Sequence, residues 1–186
     1  MVERLTLVTS NPGKINQVEL FLGIPFDVGE IKDKAEIQSL SVAEVVRDKA
    51  VKAHKELRKP VLVEDTSLIF NAWKDLPGPL IDSFLKTVGN EGMIQMLSTY
   101  KNKRAKAISA LAYFDGYELY VFQAHVNGTI ADEPKGDRGF GWDYIFIPSG
   151  HYMTRAQMND EDYNATNPRL AALAQLKDLL EKKGFQ

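Results

Sequence analysis

Apolar positions along this chain follow two periods: short unbroken runs, and stripes that recur every three or four residues. The first run, Leu5-Thr6-Leu7-Val8, is closed by Thr9-Ser10-Asn11-Pro12-Gly13 and reads as a buried strand entering a tight loop. Asn11 can cap a helix with Pro12 at its first position, and Ile15, Val18, Phe21 and Leu22 share one face of that helix until Gly23 stops it. A second helix begins at Ser41 with Glu44 three residues on, the spacing of a capping box, and carries Val42, Val45, Val46, Ala50, Ala53 and Leu57 on one stripe. Val61-Leu62-Val63 is the next buried strand, and it ends in Glu64-Asp65. Residues 81–88 and 91–100 read as helices separated by Gly89-Asn90.

The second half changes character. Residues 107–114 and 117–130 are strand-like runs joined by Asp115-Gly116, a strong hairpin signal, so the sheet contains antiparallel pairs. A glycine-rich stretch from Pro134 to Gly141 leads into Trp142-Asp143 and a strand over 144–147. The polar segment 159–167 precedes a last helix capped by Asn167-Pro168, with Leu170, Leu173, Leu176, Leu179 and Leu180 facing inward. Early strand–helix units around a hairpin predict an α/β fold, a mixed sheet flanked by helices, in a single domain over residues 1–186, with the hairpin forming an extended lobe. There is no internal repeat, low-complexity tract or linker.

Composition narrows the chemistry. The 186 residues are 44% hydrophobic and 26% charged, values of an ordinary globular chain whose core at this length needs no staple. Zero Cys excludes disulfide frameworks, thiolate zinc sites and a Cys nucleophile. The three His, at 54, 125 and 151, are too scattered for a metal cluster and read as structural or surface residues. With 23 Lys+Arg against 25 Asp+Glu, a net charge of −2 gives no global attraction for nucleic acid or an anionic membrane. An anionic ligand must then be held by local cations and backbone amides. The run at residues 5–8 is too short for a signal-peptide core or a membrane span, so a cytoplasmic location is expected.

Four places can carry chemistry. The loop Ser10-Asn11-Pro12-Gly13-Lys14 puts amides and the positive end of a helix dipole where an anion can sit. Lys14 adds a charge that the dipole disfavours, so it is either a solvated surface lysine or the partner of a bound anion. Glu64-Asp65 follows an apolar strand, successive strand residues face opposite sides, and Glu36 is an isolated acid in Ala35-Glu36-Ile37-Gln38. These acids cap turns and meet solvent, or they supply the few carboxylates that a hard Mg²⁺ needs. Lys49 lies inside the apolar stripe of its helix, where a cation must snorkel out, pair with an acid or reach an anionic ligand. Phe140 and Trp142, set among glycines and followed by Asp143, are core aromatics or a platform on which a base stacks.

Taken together, these segments resemble the inosine triphosphate pyrophosphatase family, whose members hydrolyse non-standard purine nucleoside triphosphates to the monophosphate and pyrophosphate. The resemblance rests on Thr9-Ser10-Asn11-Pro12-Gly13-Lys14, on Glu36-Ile37-Gln38, on Lys49 sixteen residues before Asp65, on Val61-Leu62-Val63-Glu64-Asp65-Thr66-Ser67-Leu68, on Leu76-Pro77-Gly78-Pro79 and on Phe140-Gly141-Trp142-Asp143. It implies an elongated, two-lobed α/β structure with a central nucleotide cleft, a homodimer and a Mg²⁺ cofactor. Lys14 and Lys49 would hold phosphates, with Thr9 and Asn11 in the same substrate loop. Glu36 and Asp65 would hold the metal, with Asp65 or a metal-held hydroxide as base. Phe140, Trp142, Asp143 and Arg169 would engage the nucleotide at its base.

The chain also departs from the family pattern. The closing motif, Lys-Asn, two variable residues and Ser-His-Arg, is here Tyr163-Asn164-Ala165-Thr166-Asn167-Pro168-Arg169. Tyr163 stands for the phosphate-binding Lys and Pro168 for the base-reading His. Upstream, an aromatic-Ala-Glu-Met pattern is replaced by Arg155-Ala156-Gln157-Met158, and Arg155, Lys135 and Arg138 are the candidates to restore the missing cation. These departures leave two alternatives to the usual activity: the same chemistry on a different nucleotide, or a nucleotide-binding protein with little turnover.

Overall fold

The computed structural model describes residues 4–32 and 35–184. Seven strands form one sheet in the order β2-β1-β3-β5-β6-β7, with β4 pairing β3. The strands are β1 (Leu5–Val8), β2 (Phe26–Gly29), β3 (Val61–Phe70), β4 (Pro77–Gly78), β5 (Arg104–Phe114), β6 (Leu119–Ile130) and β7 (Phe146–Pro148). The helices are α1 (Pro12–Leu22), α2 (Val42–Leu57), α3 (Ile81–Thr87), α4 (Gly89–Leu97), α5 (Asp160–Ala165) and α6 (Pro168–Lys182). β1 is parallel to β2 and β3, while β3 with β4 and β6 with β7 are antiparallel, so the sheet is mixed as expected.

The chain divides into two compact units. The first comprises residues up to Asp65, 109–124 and 169 onward. Its core joins the inward stripes of two helices and two parallel strands: Val18 and Leu22 of α1, Leu5 and Leu7 of β1, Leu62 of β3, and Leu173, Leu176 and Leu180 of α6. Gly23 ends α1 at φ 66°, a left-handed conformation that a side chain would strain, and its N–H bonds the Glu19 carbonyl. Ser41 caps α2 by accepting from the Glu44 amide at 3.4 Å, but the Glu44 carboxylate turns away to accept from Ser39 Oγ at 2.6 Å. Only half of the expected capping box therefore forms. The β5–β6 turn is closed by Asp115, whose Oδ1 accepts from the Tyr117 and Glu118 amides at 3.0 and 2.8 Å.

The second unit comprises residues 66–108 and 125–168. Leu68 and Phe70 of β3, Ile81, Met93 and Leu97 of α3 and α4, and Trp142, Ile145 and Phe146 form its core.

Three segments differ from the sequence pattern. β3 does not stop at Glu64-Asp65 but continues to Phe70, because buried Ser67, Leu68 and Phe70 extend a paired strand. The expected strand over 144–147 starts later, since residues 141–144 wind into a single 3-10 turn. The polar segment 159–167 contains α5, capped by Asn159, whose side chain accepts from the Asp162 amide at 2.9 Å. β2 is four residues long and acquires strand character only by pairing with β1, from Leu5 opposite Phe26 to Val8 opposite Gly29.

Candidate active site

Within the first unit, the loop after β1 is shaped by its own side chains. Thr9 Oγ1 accepts from the Asn11 amide at 3.1 Å, and Asn11 Oδ1 accepts from Gly13 and Lys14 at 2.9 and 3.3 Å. Asn11 thus satisfies amides that an anion would otherwise meet, and fixes where the Lys14 side chain leaves the helix. Lys14 Nζ lies 3.7 Å from Glu64 Oε1.

Lys49 does not snorkel; it pairs. Its ammonium lies 2.5 Å from Glu36 Oε1 and 2.9 Å from Asp65 Oδ2. Burial works to lower its pKa, but the two carboxylates outweigh burial and hold it above the ordinary lysine value. Three segments far apart in sequence therefore meet on one positive charge: the loop before α2, α2 itself and the middle of β3. The donors that converge are hard carboxylate oxygens, and the ammonium between them shows that the arrangement accepts a cation. Two acids suit a divalent ion that completes its shell with water and phosphate oxygens; no cluster of three or more metal-ligating side chains is present among the described residues.

Glu64 points to the other face of β3 and is almost fully buried. Arg169 Nε donates to Glu64 Oε1 at 2.7 Å, and Arg169 Nη1 donates to Gln17 Oε1. Arg169, assigned by resemblance to the base, is here 4% exposed and committed to this pair. The Glu64–Arg169 link spans 105 residues, and Gln17 was no candidate at all. The available signals were an acid after three buried apolar residues and an Arg in the first turn of a helix, where the dipole disfavours it.

The second unit holds the other candidates. Phe140 is 50% exposed, whereas Trp142 is buried against Phe146 with ring centroids 5.6 Å apart in an edge-on arrangement. Asp143 is buried and accepts from Arg155 Nε at 2.8 Å, Tyr163 Oη at 2.8 Å and the Phe140 amide at 3.1 Å. Arg155 Nη1 reaches Thr166 O and Oγ1 at 2.5 and 2.7 Å and Tyr163 O at 3.1 Å, and its guanidinium carbon lies 4.1 Å from the centre of the Tyr163 ring. Burial first, and the Asp143 carboxylate second, raise the pKa of the Tyr163 phenol, so it stays a proton donor at neutral pH. Arg138 pairs with Asp160 and donates to Met158 O, and Lys135 lies 3.1 Å from Glu133.

Residues 5–179 match the model of the Ham1 family. The chain belongs to the Ham1 family. It is 40% identical over 177 residues to "Inosine triphosphate pyrophosphatase 2" of Trypanosoma cruzi, covering 94% of this chain and 90% of that protein. To "Inosine triphosphate pyrophosphatase" of Schizosaccharomyces pombe it is 37% identical over 186 residues, covering 98% of each. The solved Ham1 protein of Coxiella burnetii has the same fold, with a TM-score of 0.84 at 23% identity over 97% of this chain and 100% of that one. Arg155, Arg138 and Lys135, the cations expected to stand in for a lysine at Tyr163, are each engaged with an acid: Asp143, Asp160 and Glu133.

Proposed function

We propose that this Ham1-family chain is a nucleoside triphosphate pyrophosphatase that cleaves non-standard purine nucleotides (ITP, dITP and XTP) between the α and β phosphates, giving the monophosphate and pyrophosphate. The observation that carries the reading is the sharing of one buried-side cation, Lys49, by Glu36 and Asp65. A site whose acids already face a positive charge, with a second lysine, Lys14, beside Glu64 on the strand that carries Asp65, suits a polyanion that arrives with a divalent ion.

The family implies a divalent metal, which we take to be Mg²⁺ held by Glu36 and Asp65. When bound, it would neutralise charge on phosphate oxygens and lower the pKa of an attacking water. Lys49 then exchanges its carboxylates for phosphate oxygens, and Lys14 moves from Glu64 to the same end of the ligand. Asp65 accepts the proton of the water as its oxygen bonds the α phosphorus and the bond to the bridging oxygen breaks, with pyrophosphate leaving against the lysines. Thr9 and Asn11 fix the loop that carries Lys14. Phe140 offers its exposed face to the base. Residues 1–186 act as one catalytic domain in a cytoplasmic homodimer. No helix among the described residues is long and apolar enough to cross a membrane.

A second reading, the same cleavage with a different base preference, is favoured by one observation: the polar groups around Asp143 are satisfied by each other. A panel of ITP, XTP, dITP, ATP and GTP with pyrophosphate detection, run with Mg²⁺ and with excess EDTA, tests both. Metal-dependent release that is greatest for ITP, dITP or XTP supports the first reading, and release as great or greater for ATP or GTP the second. Nucleotide binding without pyrophosphate release overturns both in favour of a binding protein.

A further inference from the structure

Phe140 sits on a turn held by one carboxylate. Gly139, at φ 81°, leaves no room there: an added Cβ would stand 2.6 Å from Asp143 Oδ2. Asp143 is 3% exposed, and its oxygens already take three donors, from the Phe140 amide, Arg155 and Tyr163. An ionised carboxyl offers about four acceptor positions. With three filled and the group buried, it has little capacity to accept from a ligand. Arg155, 2% exposed, is pinned in turn by Thr166 and by the backbone of Tyr163, and the Tyr163 ring covers its guanidinium. The half-exposed Phe140 ring is what this assembly presents outward.

We propose that Asp143, Arg155 and Tyr163 are positioning residues that act on the nucleotide through Phe140, and that the base is met at this end by stacking rather than by a charged side chain. The proposal rests on the nucleotide reading given above. Stacking accepts any purine, so weakening the support should weaken all purines alike, whereas removing a group that reads the base edge changes their ratio.

Tyr163→Phe deletes one hydroxyl donor and keeps the ring over Arg155; Phe140→Ala removes the ring itself. Calorimetric Kd values for ITP and ATP, with kcat and KM where turnover occurs, are measured for both variants and for the double variant. Tyr163→Phe should raise Kd and KM about threefold to tenfold for ITP and ATP equally, with kcat within about twofold of the starting protein. In the Phe140→Ala background it should do nothing further, because its effect passes through that ring. Asp143→Asn, if it folds, should behave like Tyr163→Phe with a larger effect.

The proposal is overturned if Tyr163→Phe shifts the ITP:ATP ratio more than about tenfold, if its effect persists in full without Phe140, or if it lowers thermal stability and leaves affinity untouched. Wild-type protein that binds nucleotides without hydrolysing them overturns the hydrolytic reading alone, and the cycle is still read from Kd. Wild-type protein that binds no nucleoside triphosphate overturns both.

Discussion

Lys49 and Arg155 are cations held by carboxylates at nearly equal distances, 2.9 Å to Asp65 and 2.8 Å to Asp143, yet their surroundings are opposite. Lys49 shares itself between two acids, one of which, Glu36, has a side chain 51% exposed. Arg155 and Asp143 are both buried and tied by five further hydrogen bonds to Phe140, Thr166 and Tyr163. An ammonium on a flexible stem can trade one anion for another at small cost, while a planar guanidinium in a closed network cannot. The first pair is built for exchange and the second for permanence, and the two therefore fail differently when mutated.

The largest expected effect is on permanence. Arg155→Met strands a buried carboxylate and should cost about 3–5 kcal/mol, read as a fall in melting temperature of order 6–20 °C. A melting curve within about 2 °C of the starting protein would show that Asp143 is not dependent on Arg155. On the exchangeable side, Asp65→Asn should fold normally and lose turnover by about 100-fold or more, because an amide neither carries the charge nor takes the proton. Circular dichroism with pyrophosphate release checks both halves of that statement, and near wild-type rates would remove Asp65 from the chemistry.

Lys49→Met sharpens the contrast with Arg155→Met. Its stability cost should stay under about 1 kcal/mol, since Glu36 is free to hydrate, while triphosphate affinity falls about 10-fold to 100-fold and affinity for the nucleoside is unchanged. A large loss of melting temperature with intact affinity would make Lys49 structural.

The smallest effect belongs to a third pair, Lys183 with Asp115 in the hairpin turn, at 2.9 Å. Burial works to raise the Asp115 carboxyl, but the Glu118 amide, the Lys183 ammonium and the Tyr117 amide outweigh it and hold the pKa below the ordinary aspartate value. A depressed pKa stabilises the fold above the unfolded value of about 4 and loses that contribution as pH falls through the folded value. Asp115→Asn should therefore lower stability by a few tenths of a kcal/mol at pH 6, with the difference shrinking below about pH 4.

How much of this was legible in the sequence differs between the clusters for a physical reason. The exchangeable one announced itself locally: Lys49 broke an apolar stripe, Glu36 stood alone between apolar neighbours and Glu64-Asp65 followed three buried residues. Each violated its local pattern, and such violations mark charges that need partners elsewhere in the fold. The permanent cluster had no such mark. Arg155 and Tyr163 lie in polar stretches where charge and aromatics are unremarkable, and their meeting depends on a 3-10 turn and on α5, neither of which has a usable hydrophobic period. β2 was illegible for a related reason: four residues lack a period of their own and become a strand only when β1 supplies the hydrogen bonds.

The alternation along β3 also bears on how this chain can vary. Glu64 and Asp65 are neighbours on opposite faces, one dry and held by Arg169, the other open to Lys49. Their assignment is a matter of parity: adding or deleting one residue just before Glu64, with the pairing of Val61 and Leu62 to β1 kept upstream of it, exchanges odd for even. Such a change leaves composition and length almost intact, yet it offers the dry face an aspartate too short by one methylene and the open face a carboxylate that was meant for Arg169. Substitutions elsewhere in β3 alter packing by degrees, whereas a single-residue insertion or deletion there rewrites which acid does which job, so this strand should tolerate changes of letter far better than changes of length.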